Sequence, residues 1–345
     1  MVTYILLIIV VAFAFDFING FHDSANSIAT IVGTRVLSPF AAVVWAATFN
    51  FAAAFFGSTA VAKAVSTGYV VQSIVDANVM CAALVGAVAW NLLTWFYGIP
   101  SSSSHALIGG FAGAAISKGG FAALSWGSKW IDTLLAIAIS PMLGLIVGLI
   151  LMIVVLNLFR LASPRLVDRF FRPGQMLSSA MLSFAHGQND AQKTMGIIVA
   201  LLVAEKEYFS SETGILHHLY LADASAVPKW IALSAYTCIS LGTLFGGWRI
   251  VHTMGSRITR LRPISGFCAE TAGALVIMGA SQLGVPVSTT HTITGAIVGV
   301  GATHRLSAVR WGLAGRIVWA WIVTIPAAAV ISGVAYMILS RVVAR

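Results

Sequence analysis

The chain has 345 residues, 59% of them hydrophobic and 9% charged, with a mean hydropathy of +0.92. A composition so poor in charge cannot clothe a water-soluble domain of this length, which excludes soluble enzymes and soluble binding modules. The net charge of +9 does not signal nucleic acid, because the arginines gather in short stretches between apolar runs.

In chain order, apolar runs long enough to cross a bilayer are predicted at Tyr4–Phe21, Phe40–Val61, Asn78–Phe96, Leu134–Leu158, Gly174–Val203, Trp230–Trp248, Ala269–Leu283 and Arg316–Leu339. Two shorter apolar stretches follow Pro100 and Pro286. Met1–Val10 lacks a basic n-region and no small-residue cleavage site follows it, so the first run is expected to be a span rather than a removable leader. Cys81, Cys238 and Cys268 lie in or beside apolar runs and read as packing residues rather than a disulfide framework.

Arg160, Arg165, Arg169 and Arg172 fill one short stretch, and Arg249, Arg257, Arg260 and Arg262 fill another. Both are read as cytoplasmic loops by the positive-inside rule. Between them, residues 204–228 carry Glu205, Glu207, Glu212 and Asp223 and suit the opposite side.

Two motifs occur twice, in the same order. Residues 98–109 read Gly-Ile-Pro-Ser-Ser-Ser-Ser-His-Ala-Leu-Ile-Gly, and residues 284–295 read Gly-Val-Pro-Val-Ser-Thr-Thr-His-Thr-Ile-Thr-Gly. Upstream of each lies a Gly-x-x-Asp element, at Gly20–Asp23 and Gly187–Asp190. The short acidic element alone is weak evidence of duplication; the twelve-residue hydroxyl motif repeated in register is strong. Repeats that flank Gly- or Pro-interrupted apolar segments are the sequence signature of inverted-repeat transporters, whose substrate sits near the midplane.

Pro100 has no N–H and disfavours a helical residue before it, so a fresh helix is expected after it, capped within Ser101–Ser104. The unpartnered N–H groups of such a helix start, with the positive end of its dipole, make an anion site. Ser102, Ser103 and Ser104 in one half, and Ser288, Thr289 and Thr290 in the other, add hydroxyl donors without adding charge. The blander reading is a Ser/Thr-rich helix contact.

The acidic motif demands a different account. Asp16, Asn19, Asp23 and Asn26 share one helical face. A carboxylate aimed at an anion site repels its ligand, so a coupling Na⁺ or H⁺ is expected between them, at Asp23 and Asp190, with Asn26 and Asn189 as hard oxygen ligands for Na⁺. The alternative is that these acids only pair with Lys193 or a histidine. His105 and His291 occupy matching positions just inside the two fresh helices, where each donates to the anion, titrates, or merely bonds a neighbour. Gln192, Lys193, Glu270 and Asp16 are secondary candidates; Lys193 stands where the first half has Asn26. His22 and His186 flank the acidic motif in non-equivalent positions.

The 19–26 and 186–193 blocks and both Pro-x-Ser-[Ser/Thr]-[Ser/Thr]-His blocks resemble the inorganic phosphate transporter (PiT) family, in its bacterial branch. The resemblance implies an all-α polytopic membrane protein of two inverted-topology repeats, each with a re-entrant helical hairpin, and roughly 10–12 membrane segments. The repeats are placed at 1–159 and 174–345, joined by a cytoplasmic basic linker at 160–173. It implies a secondary symporter that moves inorganic phosphate, free or metal-complexed, across a prokaryotic inner membrane with H⁺ or Na⁺. Phosphate then contacts Ser102, Ser103, Ser104, Ser288, Thr289 and Thr290, and Asp23, Asn26, Asn189 and Asp190 bind or titrate the coupling ion; Asp23 and Asp190 are the metal ligands if that ion is Na⁺. Expected partners are phosphate, the cation and membrane lipid; a homodimer stays open, no resident cofactor is expected, and the chain is not expected to be an enzyme. A sulfate permease of the same fold, an intramembrane phosphatase and a passive anion channel are the competing readings.

Overall fold

The computed structural model describes residues 1–56, 59–210, 214–303 and 305–343; Glu212 of the acidic stretch therefore lies outside the described residues. Twelve α-helices are present among them. In the first half these are α1 (Val2–Gly33), α2 (Pro39–Ala52), α3 (Ala60–Thr67), α4 (Ala77–Tyr97), α5 (Ser103–Gly119) and α6 (Ser128–Leu158). In the second they are α7 (Pro164–Ala204), α8 (Lys229–Phe245), α9 (Trp248–His252), α10 (Pro263–Gln282), α11 (Thr289–Ala302) and α12 (Trp311–Val342).

By length and composition, α1, α4, α6, α10 and α12 suffice to cross a membrane, and the total reaches seven if the bent pairs α2 with α3 and α8 with α9 each count as one span. The second pair is bent by 63°. The predicted span at 174–203 falls short of that apolar standard because the polar motif at 186–193 interrupts it. Its helix, α7, is nevertheless about 60 Å long and buries the whole motif at the centre of the bundle. Short helices α5 and α11, of 17 and 14 residues, follow Pro100 and Pro286 as expected.

The two basic stretches are largely helical, and only residues 159–163 and 258–262, with Arg160, Arg260 and Arg262, form loops. Ser163 caps α7, accepting a hydrogen bond from Leu166 N–H, and Pro164 follows at the first helical position, so residues 164–173 are the first turns of α7 and little of 160–173 is a linker. Arg249 and Arg257 likewise lie in α9 and the π-turn Thr253–Arg257 that continues it. The acidic stretch also does structural work: Glu205 accepts from the Ala77 N–H and, with Asp76, closes the N-terminus of α4.

Packing between the halves is reciprocal. Helix α5 lies on α4 and on α12 of the other half, while α11 lies on α10 and on α6. The close approach depends on glycine: a Cβ on Gly113 would sit 2.0 Å from the Ala329 carbonyl oxygen of α12, and one on Gly295 would sit 2.0 Å from the Pro141 carbonyl oxygen of α6. Helices α1 and α7 cross into the opposite half in the same way, with Gly20 against Ile239 and Gly187 against Asn50. Each long helix therefore carries its polar motif to the seam between the halves.

Gly113→Val is expected to lower stability by at least about 2 kcal/mol, since the added carbons run into the Ala329 backbone of α12. Gly279→Ala, in open space on α10, is expected to be neutral or slightly stabilising. Thermal unfolding of the purified variants by a tryptophan-fluorescence scan checks the contrast.

Candidate functional site: two helix starts and two carboxylates at the seam

Both hydroxyl motifs fold by the same local steps. Helix α4 ends at Gly98, which takes φ +65°, and Ile99 N–H bonds back to the Thr94 carbonyl at 2.9 Å. Helix α10 ends the same way at Gly284, φ +66°, with Val285 N–H to the Ala280 carbonyl at 3.0 Å. Glycine adopts this left-handed backbone without steric cost, and the proline two residues on prevents the helix from resuming. The chain then runs extended to a serine cap. The Ser102 hydroxyl accepts from His105 N–H and that of Ser288 accepts from His291 N–H, each at 3.2 Å. Two new helices thus begin inside the bundle, where the N–H groups of the first turn have no intrahelical partner and the cap serine takes only the third.

These two starts meet. The rings of His105 and His291 lie 4.9 Å apart, and His291 stacks on Trp321 at 4.0 Å. Beside them come the acids. A carboxylate oxygen of Asp23, one of Asp190 and a ring nitrogen of His186 all fall within 4.8 Å of one another. Thr289 donates to Asp190 at 3.2 Å and Thr290 to Asp23 at 3.4 Å, so the hydroxyl motif of the second half bonds the acids of both halves. The Asn26 amide donates to Thr289 and Thr290 at 3.1 and 2.9 Å. Ser102, Ser103, Ser104, Ser288, Thr289, Thr290, Asp23, Asn26, Asn189 and Asp190 are each at most 3% exposed, so the site is sealed from solvent in this conformation.

The two acids are compensated differently. Lys193 donates to Asp190, to the Ser104 hydroxyl and, at 3.1 Å, to the Val287 carbonyl. Asp23 instead lies 2.7 Å from His22 Nδ1, and the other ring nitrogen of His22 lies 3.0 Å from the Thr94 hydroxyl. The alternative that pairs these acids with Lys193 or a histidine did not single out His22, although its place beside Asp23 was a usable signal. His186, 3.1 Å from Asp190 one turn along α7, had the spacing i, i+4 to give it away.

The secondary candidates part company. Gln192 is a structural cap: its carbonyl oxygen accepts from Val61 and Ala62 N–H at 3.0 and 3.3 Å, closing the start of α3. Ser24 performs the reciprocal service for Gly247, just before α9. Asp16 stays on the α1 face with Asp23 but binds Thr194, at 2.9 Å. Glu270 lies in its own buried cage, accepting from Thr30 and Ser178 at 2.5 Å and from Gln175 at 2.9 Å. Asn189 donates to Ser281 at 2.8 Å, a partner the sequence did not suggest.

Buried polar atoms without a protein partner concentrate here. Among the described residues they include Ser103 Oγ, Asn26 Oδ1, Asn189 Oδ1 and both ring nitrogens of His105. Leaving a buried donor or acceptor unmade costs about 1–3 kcal/mol, so such a cluster marks a place built to bond something other than the protein itself.

Comparison with known proteins assigns the chain to a family. Residues 19–332 match the model of the phosphate transporter family. The chain is 54% identical to a probable low-affinity inorganic phosphate transporter of Rhizobium meliloti, over 95% of this chain and 94% of that one. It is 43% identical to a protein of the same description from Bacillus subtilis, covering 98% of this chain and 97% of that one. Among solved structures it is similar to a sodium-dependent phosphate transporter, with a TM-score of 0.85 and 25% identity, covering 99% of this chain and 100% of that one. This all-α, multi-pass membrane chain belongs to the phosphate transporter family, a family of transporters and not of enzymes.

Proposed function

We propose that this chain is a secondary symporter that takes inorganic phosphate into the cell across the prokaryotic plasma membrane, drawing on a gradient of Na⁺ or H⁺. One observation carries the reading: two hydroxyl-capped helix starts converge on buried carboxylates, with unpartnered polar atoms between them. The first-turn N–H groups of α5 and α11 and the hydroxyls of Ser103 and Ser104 are open donors to a tetrahedral oxyanion, and those of Thr289 and Thr290 join them by turning from Asp190 and Asp23. Lys193 offsets the charge of Asp190. Asp23 has no such lysine, and a mobile cation held by Asp23 and the Asn26 carbonyl oxygen completes the neutralisation as phosphate binds. Loading of anion and cation together in a sealed site is what ties one flux to the other. The reciprocal packing of α5 on α12 and α11 on α6 suits two inverted repeats that rock about this seam to open it alternately to each side.

Phosphate is favoured over sulfate by the same carboxylates. At neutral pH phosphate keeps at least one O–H, which donates to a carboxylate oxygen; sulfate has none and leaves that oxygen facing bare negative charge. Sulfate is expected to compete at least roughly a hundredfold less well, and inhibition of labelled-phosphate uptake into proteoliposomes measures the ratio.

Ser103→Ala and Thr289→Ala each remove a hydroxyl from the anion clamp and are expected to weaken phosphate affinity about tenfold or more. Asp23→Asn is expected to abolish accumulation driven by an imposed Na⁺ or pH gradient. Uptake assays under the two gradients applied separately check both outcomes; wild-type transport in all three variants would refute the site.

A further inference from the structure

Counted from the two acidic elements, Asn26 and Lys193 hold the same position, three residues after Asp23 and Asp190. Their partners correspond as well. Asn26 bonds the hydroxyl of Thr290, while Lys193 bonds that of Ser104, and these two residues stand four places after Pro286 and Pro100. What surrounds the Lys193 ammonium is a set of hard oxygens: the Asp190 carboxylate, the Ser104 hydroxyl and the Val287 carbonyl. A carboxylate, a hydroxyl and a backbone carbonyl are the ligand types that an alkali cation takes from a protein. Lys193 is only 2% exposed, and all three of its partners are drawn from the site itself.

We propose that Lys193 is a tethered cation. Its ammonium permanently fills, in the second half, the place that a transported cation takes beside Asp23 in the first. The two related cation positions therefore load one mobile ion per transport cycle instead of two. This rests on the symport reading above for the first-half ion. It also explains why a lysine stands so close to an anion site without being reserved for the anion: its charge is engaged by Asp190.

Lys193→Asn copies the first-half residue into the second half and supplies an amide oxygen in place of the ammonium. The phosphate Kd of purified wild-type and Lys193→Asn protein is measured against NaCl, with choline chloride holding ionic strength constant. The expected result is that the slope of log Kd against log Na⁺ concentration steepens by one unit, so each tenfold fall in Na⁺ weakens phosphate binding a further tenfold in the variant. Lys193→Gln gives the same readout through a second amide. An unchanged slope, whether or not affinity falls, overturns the proposal and makes Lys193 a direct phosphate ligand or a structural pair. If both variants unfold in choline but are monodisperse in NaCl, the tethered role stands. Unfolding in both salts alike overturns it, because a tethered ion is replaceable by a free one. Gradient-driven uptake by the wild-type protein is run in parallel: its failure refutes symport, whereas the slope reads Lys193 independently of that outcome.

Discussion

The structure depends on one electrostatic arrangement: two helix N-termini brought together deep inside an apolar bundle. Each brings N–H groups without intrahelical partners and the positive end of a dipole into a region where unmet hydrogen bonds cost several kcal/mol. The Ser102 and Ser288 caps meet part of that cost, and carboxylates and an amide from α1 and α7 bond the hydroxyls of the α11 start through Thr289–Asp190, Thr290–Asp23 and Asn26–Thr290. The exchange of α5 and α11 between the halves follows from the same need, since each start is enclosed only when the long helices of the other half wrap it. Glycines at the crossings let the backbones come close enough.

From this arrangement follows a charge balance suited to transport. Two buried carboxylates with one lysine leave the centre short of a cation, and the donors of the helix starts invite an anion. The anion alone deepens that imbalance, whereas a cation bound first offsets the uncompensated carboxylate and makes room for the anion's charge. Coupling in this account is a matter of electrostatics in a medium of low dielectric constant, and it needs no contact between the ions beyond nearness.

Much of this was legible in the residues. Pro100 and Pro286 announced breaks in the apolar runs, and the Ser/Thr residues after them announced new helix starts; the caps fall at Ser102 and Ser288. The spacing of Asp16, Asn19, Asp23 and Asn26 placed them on one face, and all four are buried on α1. The misreadings have local causes. Arginine-rich composition suggested loops, which holds for Arg260 and Arg262 at 258–262 but not for 164–173, where the Ser163-Pro164 helix start governs the fold. Gln192 looked like a ligand because it adjoins the acidic motif, but its oxygen is engaged by α3, which lies 131 positions away in sequence. Long-range choices of this kind, such as which hydroxyl bonds which acid and where Asn189 turns, depend on tertiary packing that no local pattern encodes.

The central claim is that the oxyanion sits between the starts of α5 and α11. Arsenate is a tetrahedral analogue of phosphate, and its arsenic scatters anomalously, so crystals of the full chain grown with arsenate locate the anion directly. The account predicts an arsenic peak with its oxygens in hydrogen-bond range of Ser103 and Thr289. A peak found instead among the arginines that line the 690 Å³ cleft at Arg260, Arg262, Arg305 and Arg310, with none at the seam, would contradict it.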